Sequence, residues 1–255
     1  MSKTNGVIKE EVQSETATKD LTELLDSTYP LLQKLRELCP GTFKHSQSLS
    51  AIVEGVALAL DLDVTCMKTA AMYHDIGKII NPKYFVENQL EEEPHEKLDP
   101  WISSQLISRH VSDTVMLLIG DLKFPRKIIE MVSQHHGSTV IQFFFNKSDT
   151  DVEDHYRYKC PKPTNVEAAV LMICDHLEAK CKALFQAGKF SLTEAIESTI
   201  NSLLDDGQLD EVYMKLGHLK SIKEALTKEL EGIYHKRPEY EPAKENGKKK
   251  DKEDQ

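Results

Sequence analysis

The spacing of apolar residues predicts a chain that is helical almost throughout. Over about residues 42–62, apolar side chains recur every three or four positions, as on one face of an α-helix. The same spacing predicts helices over about residues 21–39 with a break at Pro30, and over 64–78, 100–119, 125–137, 164–185, 191–204 and 216–234. No stretch alternates apolar and polar residues as a strand does, and no Asn-Gly or Asp-Gly turn joins two apolar runs. The predicted fold class is therefore all-α, a helical bundle.

Helix boundary signals support this pattern. Asp99 followed by Pro100 is typical of an N-cap and a first helical residue. Thr164 is predicted to cap the next long apolar helix, and Ser191 with Glu194 forms the capping-box sequence. The segments 81–98 and 146–163 lack helical spacing and are predicted to be loops, which often carry substrate contacts.

The two ends of the chain differ from the rest. Residues 1–19 lack periodic apolar positions, and residues 241–255 are almost entirely charged or polar. We expect a disordered leader over 1–19, one folded domain over 20–240 and a disordered charged tail over 241–255. The Met1 leader and the tail favour a stand-alone protein over an excised domain, although the sequence leaves both open.

Composition and charge narrow the possible classes. Apolar residues make up 40% of the 255 residues and charged residues 29%, which is ordinary for a globular protein. No apolar run approaches the roughly 20 residues that span a bilayer, and no secretory signal is evident, so we expect a cytoplasmic protein. The net charge of -10 argues against a partner that is a nucleic-acid polymer. Five cysteines without a C-x-x-C motif indicate reduced thiols rather than disulfides.

Histidines and aspartates on apolar helices are the chemically informative residues. Two adjacent pairs and three single residues share this setting: His74-Asp75, His135-His136, His45, His110 and Asp175. An unpaired carboxylate on a core face, as at Asp175, would be costly, and a bound metal ion would remove that cost. We therefore predict these seven residues to be metal ligands. The remaining histidines His95, His155, His218 and His235 are expected to be surface or structural residues.

The ligand types restrict the metal and the reaction. Imidazole and carboxylate without thiolate favour iron, manganese, cobalt, nickel or zinc over calcium or magnesium. Seven ligands exceed the needs of one ion, whereas two ions roughly 3.5–4 Å apart can share a carboxylate and promote displacement at phosphorus by a hydroxide held between them. No G-x-S-x-G motif or P-loop offers another mechanism.

The same residues resemble the HD superfamily of metal-dependent phosphohydrolases, with His-Asp-Ile-Gly-Lys at 74–78 as its central motif. The chain resembles more narrowly the HD domain of PgpH-type, seven-transmembrane HD proteins, which are cyclic di-AMP phosphodiesterases. Eight ordered segments across about residues 21–240 carry this resemblance: Pro-Gly-Thr-Phe-Lys-His-Ser (40–46), Tyr-His-Asp-Ile-Gly-Lys (73–78), Tyr-Phe-Val-Glu-Asn-Gln (84–89), Pro-His-Glu-Lys-Leu (94–98), Ser-Arg-His-Val (108–111), Gln-His-His-Gly-Ser-Thr (134–139), Asp-Asp-Gly-Gln-Leu-Asp-Glu (205–211) and Gly-Ile-Tyr-His-Lys-Arg (232–237).

The resemblance implies a site with two ions, typically iron or manganese, bridged by Asp75. One ion would be bound by His45, His74, Asp75 and Asp175, and the other by Asp75, His110, His135 and His136. The implied reaction is hydrolysis of cyclic di-AMP to linear pApA.

Three basic residues are candidate substrate contacts. The resemblance implies that Lys78 lies near the metals and contacts the phosphate or assists the leaving group. The alternative is a solvated lysine at a helix end, where the helix dipole favours it. Arg157 and Lys162 lie in the 146–163 loop, and a solvated surface position is an equal alternative for them.

Departures from the family pattern leave the substrate open. The membrane spans of the family are absent, Thr114 replaces a glycine, and His176 replaces the usual serine or threonine after the last ligand. The segment 158–163 reads Tyr-Lys-Cys-Pro-Lys-Pro instead of Tyr-Pro-Gly-Pro-Lys-Pro.

Two other functions remain as alternatives to cyclic di-AMP hydrolysis. One is an enzyme for another cyclic or linear dinucleotide or a nucleotide monoester, and the other is a catalytically idle module that binds a nucleotide. The lack of Gly-Tyr-Pro after His-Asp argues against the cyclic di-GMP branch, and the oligomeric state is open.

Overall fold

The computed structural model describes residues 21–88, 94–121 and 124–234, and within these ranges the chain is built from helices. The α-helices are α1 Leu21–Leu25, α2 Pro30–Leu38, α3 Pro40–Ala59, α4 Val64–Tyr73, α5 Pro100–Gly120, α6 Arg126–Gln134, α7 Gln142–Phe145, α8 Val166–Gln186, α9 Leu192–Asp205 and α10 Leu216–Tyr234. Short 3-10 helices cover Ile76–Ile80, Pro82–Tyr84, Val86–Asn88, Pro94–Lys97 and Glu153–Tyr156. The described residues contain no strand beyond one isolated bridge between Val140 and Arg157, which confirms the all-α prediction.

The long helices lie where the apolar spacing predicts them, with differences at their ends. Asp99 caps α5 as predicted, because its carboxylate accepts a hydrogen bond from the Trp101 N–H at 2.8 Å. The prediction of Thr164 as the cap of α8 is wrong: Asn165 accepts from the Ala168 N–H at 2.9 Å. The Thr164 N–H instead donates to Gln134 at 3.0 Å.

The secondary structure differs more from the prediction in the 64–78 segment and in the predicted loops. The helix predicted over 64–78 ends at Tyr73, and after His74 and Asp75 the chain tightens into the 3-10 helix Ile76–Ile80. The predicted loops contain short 3-10 helices, and α7, which lies just before the second loop, has four residues, too few to show periodicity. Predictions about residues 1–19 and 241–255 lie outside the described residues.

The helix α8 forms the centre of the core. Its first half is completely buried from Ala168 to Cys174, and α3, α4, α6 and α9 pack against it. The helix α5 covers the Ile76–Ile80 segment and also contacts α6. Among the described residues the cysteines are free thiols, as predicted, and no helix is both long and apolar enough to cross a bilayer. The core therefore brings the ends of α4 and α6 and the middle of α5 to the same side of α8.

Candidate metal centre

The structure brings all seven predicted ligands together where five helices converge. His45 lies on α3, His110 on α5 and Asp175 on α8. The pairs His74-Asp75 and His135-His136 follow directly on the last residues of α4 and α6. Five of the seven residues are buried, and the side chains of His45 and His136 are only 11% and 16% exposed. The cluster is thus enclosed, with an opening on one side.

Asp75 lies between two groups of ligand atoms. In one group Asp75, His110, His135 and His136 each offer an atom within 4.8 Å of the others, and His45, His74 and Asp175 form the other group by the same measure. Asp75 Oδ1 lies 3.1 Å from His110 Nε2, whereas its Oδ2 lies 3.2 Å from His74 Nε2. Because its two oxygens face different groups, Asp75 has the geometry of a bridging carboxylate.

The second group is equally compact. His45 Nε2 lies 3.0 Å from Asp175 Oδ1 and 3.2 Å from His74 Nε2. Asp175 Oδ1 is also 3.6 Å from His74 Nε2. Two imidazole nitrogens and a carboxylate oxygen at these separations can converge on one ion.

Backbone carbonyls orient three of the histidines. The Nδ1 atoms of His74, His110 and His135 lie 2.8, 2.7 and 2.5 Å from carbonyl oxygens three residues earlier. A carbonyl oxygen only accepts hydrogen bonds, so Nδ1 carries the proton of the neutral ring, and the Nε2 lone pair of that neutral ring faces the cluster. The helices that supply these histidines therefore also fix the tautomer that binds metals.

Buried polar atoms without partners test whether a metal would fit. Asp75 Oδ1, His110 Nε2, His135 Nε2 and His136 Nδ1 are buried and make no hydrogen bond within the described chain. The 3.1 Å contact between Asp75 and His110 lacks hydrogen-bond geometry. Leaving a buried polar atom unpaired costs about 1–3 kcal/mol. Four such atoms facing one another, all imidazole nitrogen or carboxylate oxygen, fit a transition-metal ion.

The electrostatics of the cluster favour ionised carboxylates. Burial opposes charge on Asp75, yet His74 and Lys78 hold its pKa well below the usual value. Burial likewise opposes charge on Asp175, and hydrogen bonds from His45 and His74 keep its pKa well below the usual range. Anionic oxygen ligands are the form that metal binding requires.

The pKa values of the histidines differ because their surroundings differ. Burial lowers the pKa of His45, but Asp175 and Glu178 raise it to about 9 overall. Burial also lowers the pKa of His74, but Asp75 and Asp175 together raise it to about 10 overall. Burial lowers the pKa of His135 to about 3, and the positive charge on His74 adds to this effect. Protons on His45 and His74 thus supply the positive charge that metal ions would otherwise bring.

Glu178 is a residue of the site that the sequence reasoning missed. Its buried carboxylate lies 2.7 Å from His45 Nδ1, on the side of the ring away from Asp175. Glu178 follows Asp175 by three residues on α8, about one helical turn later. A second acid one turn after a core aspartate is the signal that would have identified it.

Lys78 lies at the cluster, close to Asp75. Its Nζ is 2.7 Å from Asp75 Oδ2 and 2.8 Å from Glu87 Oε1, and its side chain is 14% exposed. Burial opposes its charge, but Asp75 and Glu87 raise its pKa above the ordinary lysine value. Glu87 also accepts from Thr42 Oγ1 at 2.9 Å, which ties this ion pair to α3. The position agrees with the predicted one and differs from the solvated alternative.

Arg157 and Lys162 are not brought to the cluster. The Arg157 guanidinium donates to both carboxylate oxygens of Asp206, at 2.7 and 3.1 Å. Lys162 donates to the Gly207 carbonyl at 2.9 Å. Both line a separate cavity, and the partners Asp206 and Gly207 lie 49 and 45 residues away in sequence, so the loop pattern alone could not reveal these contacts. Their role as substrate contacts stays a prediction that this arrangement does not support.

Tyr158 and His176 flank His136. The Tyr158 ring stacks on His136 at 4.3 Å between centroids and 21° between planes. His176 is half-buried, its Nδ1 lies 3.0 Å from the Met172 carbonyl, and its ring is 5.7 Å from that of His136. His176 therefore lies at the edge of the cluster.

A cavity of about 600 Å³ opens over the cluster. His45, Asp75, His110, His136 and Asp175 line its floor. One flank is the α8 face that carries Glu178 and Lys182, and the other is the segment 85–87 with Ile107. This volume lies within the roughly 300–1,000 Å³ of small-molecule sites.

The fold and the site define a helical protein with a candidate two-metal centre at the convergence of its core helices. The HD domain model matches residues 42–180, a range that includes all seven candidate ligands, and the chain belongs to that family.

Relatives of known structure and name share this architecture. Two cyclic-di-AMP phosphodiesterases named PgpH are similar, one from Bacillus subtilis (33% identical, 89% of this chain) and one from Listeria monocytogenes (35% identical, 88% of this chain). The chain spans about a third of their length, 32% in each case. The crystal structure of the L. monocytogenes PgpH HD domain matches with a TM-score of 0.75 at 35% identity, covering 81% of this chain and 100% of that one. The same domain in complex with cyclic di-AMP matches with a TM-score of 0.76 at 34% identity, covering 83% of this chain and 100% of that one.

Proposed function

We propose that the chain is a metal-dependent phosphodiesterase that hydrolyses cyclic di-AMP to linear pApA. The observation that carries the proposal is the enclosed cluster of seven imidazole and carboxylate side chains whose unpartnered atoms face one another. The similarity to a PgpH HD domain solved with cyclic di-AMP supports the choice of substrate.

The ligand set divides between two ions. His45, His74 and Asp175 would hold one ion, and His110, His135 and His136 would hold the other, with Asp75 contributing an oxygen to each. Bound iron or manganese would supply Lewis acidity toward the phosphate and lower the pKa of a bound water. The carbonyl-bound Nδ1 protons keep His74, His110 and His135 oriented for this role.

Lys78 provides the cationic group beside the cluster. Its ammonium, held by Asp75 and Glu87, lines the cavity in which the phosphate would lie. From this position it would donate a hydrogen bond to a phosphate oxygen or to the leaving oxygen. Because Asp75 would share its charge with metal ions, the Lys78 ammonium would be freed to face the phosphate.

The decisive experiment measures metal content and turnover of the full chain. We expect two transition-metal ions per chain and hydrolysis of cyclic di-AMP in preference to cyclic di-GMP and linear dinucleotides. Asp75→Asn should remove turnover and lower the metal content, because it weakens the bridging ligand. Asp149→Asn, a matched change at an exposed aspartate of the 146–163 segment, should change neither.

Other outcomes would identify the alternatives. Preferential turnover of another nucleotide would contradict the proposed substrate while keeping the phosphohydrolase. Binding of nucleotide without turnover, at full metal occupancy, would contradict catalysis and favour a nucleotide-binding module. The identity of the metal as iron or manganese, the cytoplasmic location and the domain limits 20–240 stay predictions.

A further inference from the structure

A second cavity adjoins the one over the metal cluster. It has a volume of about 420 Å³, and its walls are mainly aromatic and aliphatic. It shares one wall, formed by Lys78, the segment 85–87 and Ile107, with the cavity over the cluster. The cavity therefore begins where a group attached to a phosphate at the cluster would extend.

The ring of Phe85 belongs to the wall that the two cavities share. It lies 5.8 Å from the His110 ring, edge to face, and the Lys78 Nζ lies 4.9 Å from its centroid. An aromatic ring of the shared wall therefore contacts a candidate metal ligand. A ligand that reaches across Phe85 would contact both cavities at once.

The outer part of the second cavity leaves apolar surface in contact with solvent. Phe143 is 60% exposed and Val86 is 78% exposed, although both line the cavity. Phe144 is buried behind Phe143, with 5.2 Å between ring centroids, and supports it. A flat aromatic ligand stacked on Phe143 would remove this apolar surface from water.

His95 provides one hydrogen-bonding group among the residues that line the second cavity. Its Nε2 lies 2.7 Å from the Tyr84 carbonyl, so Nε2 carries the proton and Nδ1 is an acceptor. Nδ1 is buried and makes no hydrogen bond within the described chain. The Phe144 ring, 5.0 Å away, holds the imidazole in place. An acceptor without a partner suits a ligand that carries an amino group.

We propose that the second cavity binds a 6-aminopurine base, the adenine attached to the phosphate at the metal cluster. Phe143 and Val86 would contact the faces of the base, and His95 Nδ1 would accept a hydrogen bond from the 6-amino group. A 6-oxo purine presents an acceptor at that position, so it would bind less tightly. This inference rests on the proposed function for its substrate, and it adds the residues that select the base.

The test compares adenosine and inosine 5′-monophosphates, which differ at the 6-position, by calorimetric titration of the metal-loaded full chain. We expect the wild type to bind the adenosine nucleotide more tightly, and Phe143→Ala to weaken this binding about 10-fold, as loss of base stacking does. His95→Phe keeps an aromatic ring but removes the acceptor, so it should abolish the preference. The matched control is Phe185→Ala, since Phe185 is 55% exposed and packs on Phe190 instead.

Kinetics with cyclic di-AMP separates the two proposals. In an active enzyme, Phe143→Ala should raise KM with unchanged metal content and little change in kcat. Equal binding of the two monophosphates by the wild type, or no effect of Phe143→Ala on either measurement, would overturn the base pocket whatever the turnover. A further outcome is a wild type that hydrolyses no cyclic dinucleotide and still binds the adenosine nucleotide more tightly, with Phe143→Ala weakening that binding. Such a result would support the base pocket and contradict the proposed function.

Discussion

Glu178 holds His45 from the side of its ring that faces away from the cluster. The 2.7 Å contact between Glu178 Oε2 and His45 Nδ1 places the proton on Nδ1 when the ring is neutral. The other nitrogen, Nε2, then presents a lone pair at the cluster, and the nearby charge makes it a stronger donor to a metal. A residue that touches no candidate ion thereby influences how one ion is bound.

We predict that Glu178→Gln weakens metal binding and turnover by about 10–100-fold, the usual effect of removing a partner of a ligating histidine. The amide still accepts a hydrogen bond but lacks the charge, so the fold should persist with an unchanged circular dichroism spectrum. Titration of the metal-free protein with Mn²⁺ measures the effect, and Glu224→Gln on the exposed face of α10 is the control. Equal affinity in the two variants would show that Glu178 does not act through the metal.

At the scale of elements, the 3-10 helix Ile76–Ile80 approaches α5 so closely that no side chain fits at Gly77. A Cβ built there would lie 2.2 Å from the His110 carbonyl oxygen and 2.4 Å from the Thr114 nitrogen. The Gly77 N–H also donates to Thr114 Oγ1 at 2.8 Å. This contact fixes Asp75, two residues earlier, against His110, one turn before Thr114.

We predict that Gly77→Ala destabilises the protein by about 1–3 kcal/mol and lowers its metal content, because backbone atoms of α5 must move. The matched change Gly232→Ala, where no atom of the described residues lies within 4 Å, should leave stability unchanged or raise it by up to about 1 kcal/mol. Urea unfolding of both variants measures the difference. Similar midpoints for the two would contradict the close packing.

The same contact explains which elements the sequence could predict. Long helices such as α3 and α8 follow from apolar spacing, because one face of each lies in the core. The end of α4 was placed too late, because the change to a 3-10 helix depends on packing against α5, which is distant in sequence. The prediction of Arg157 as a substrate contact has a related explanation. Its contact with Asp206, 49 residues later in the chain, cannot be read from the loop sequence. The candidate ligands could be predicted from the sequence because each is a polar side chain on an apolar helix or directly after one.

At the scale of the whole molecule, the cluster couples five helices through groups that are costly to bury. α3, α4, α5, α6 and α8 each bring at least one candidate ligand to it. Without metal, four buried atoms of the cluster have no partner among the described residues, and two histidines must hold protons against the effect of burial. Metal ions that bind these groups bind only the folded chain, so they stabilise it by linkage.

This linkage predicts a measurable gain in thermal stability. With metal at about 100 times its dissociation constant, one site adds about 2.7 kcal/mol. In a protein of this size each kcal/mol raises Tm by about 2–4 °C, so loss of the metal from one site should lower Tm by about 5–10 °C, and loss from both sites by more. Differential scanning calorimetry before and after chelation, with Mn²⁺ added back, measures the shift. Asp75→Asn should lose most of the shift and Asp149→Asn should keep it, and an identical Tm in the metal-free and metal-loaded wild type would show that the cluster is not a metal centre.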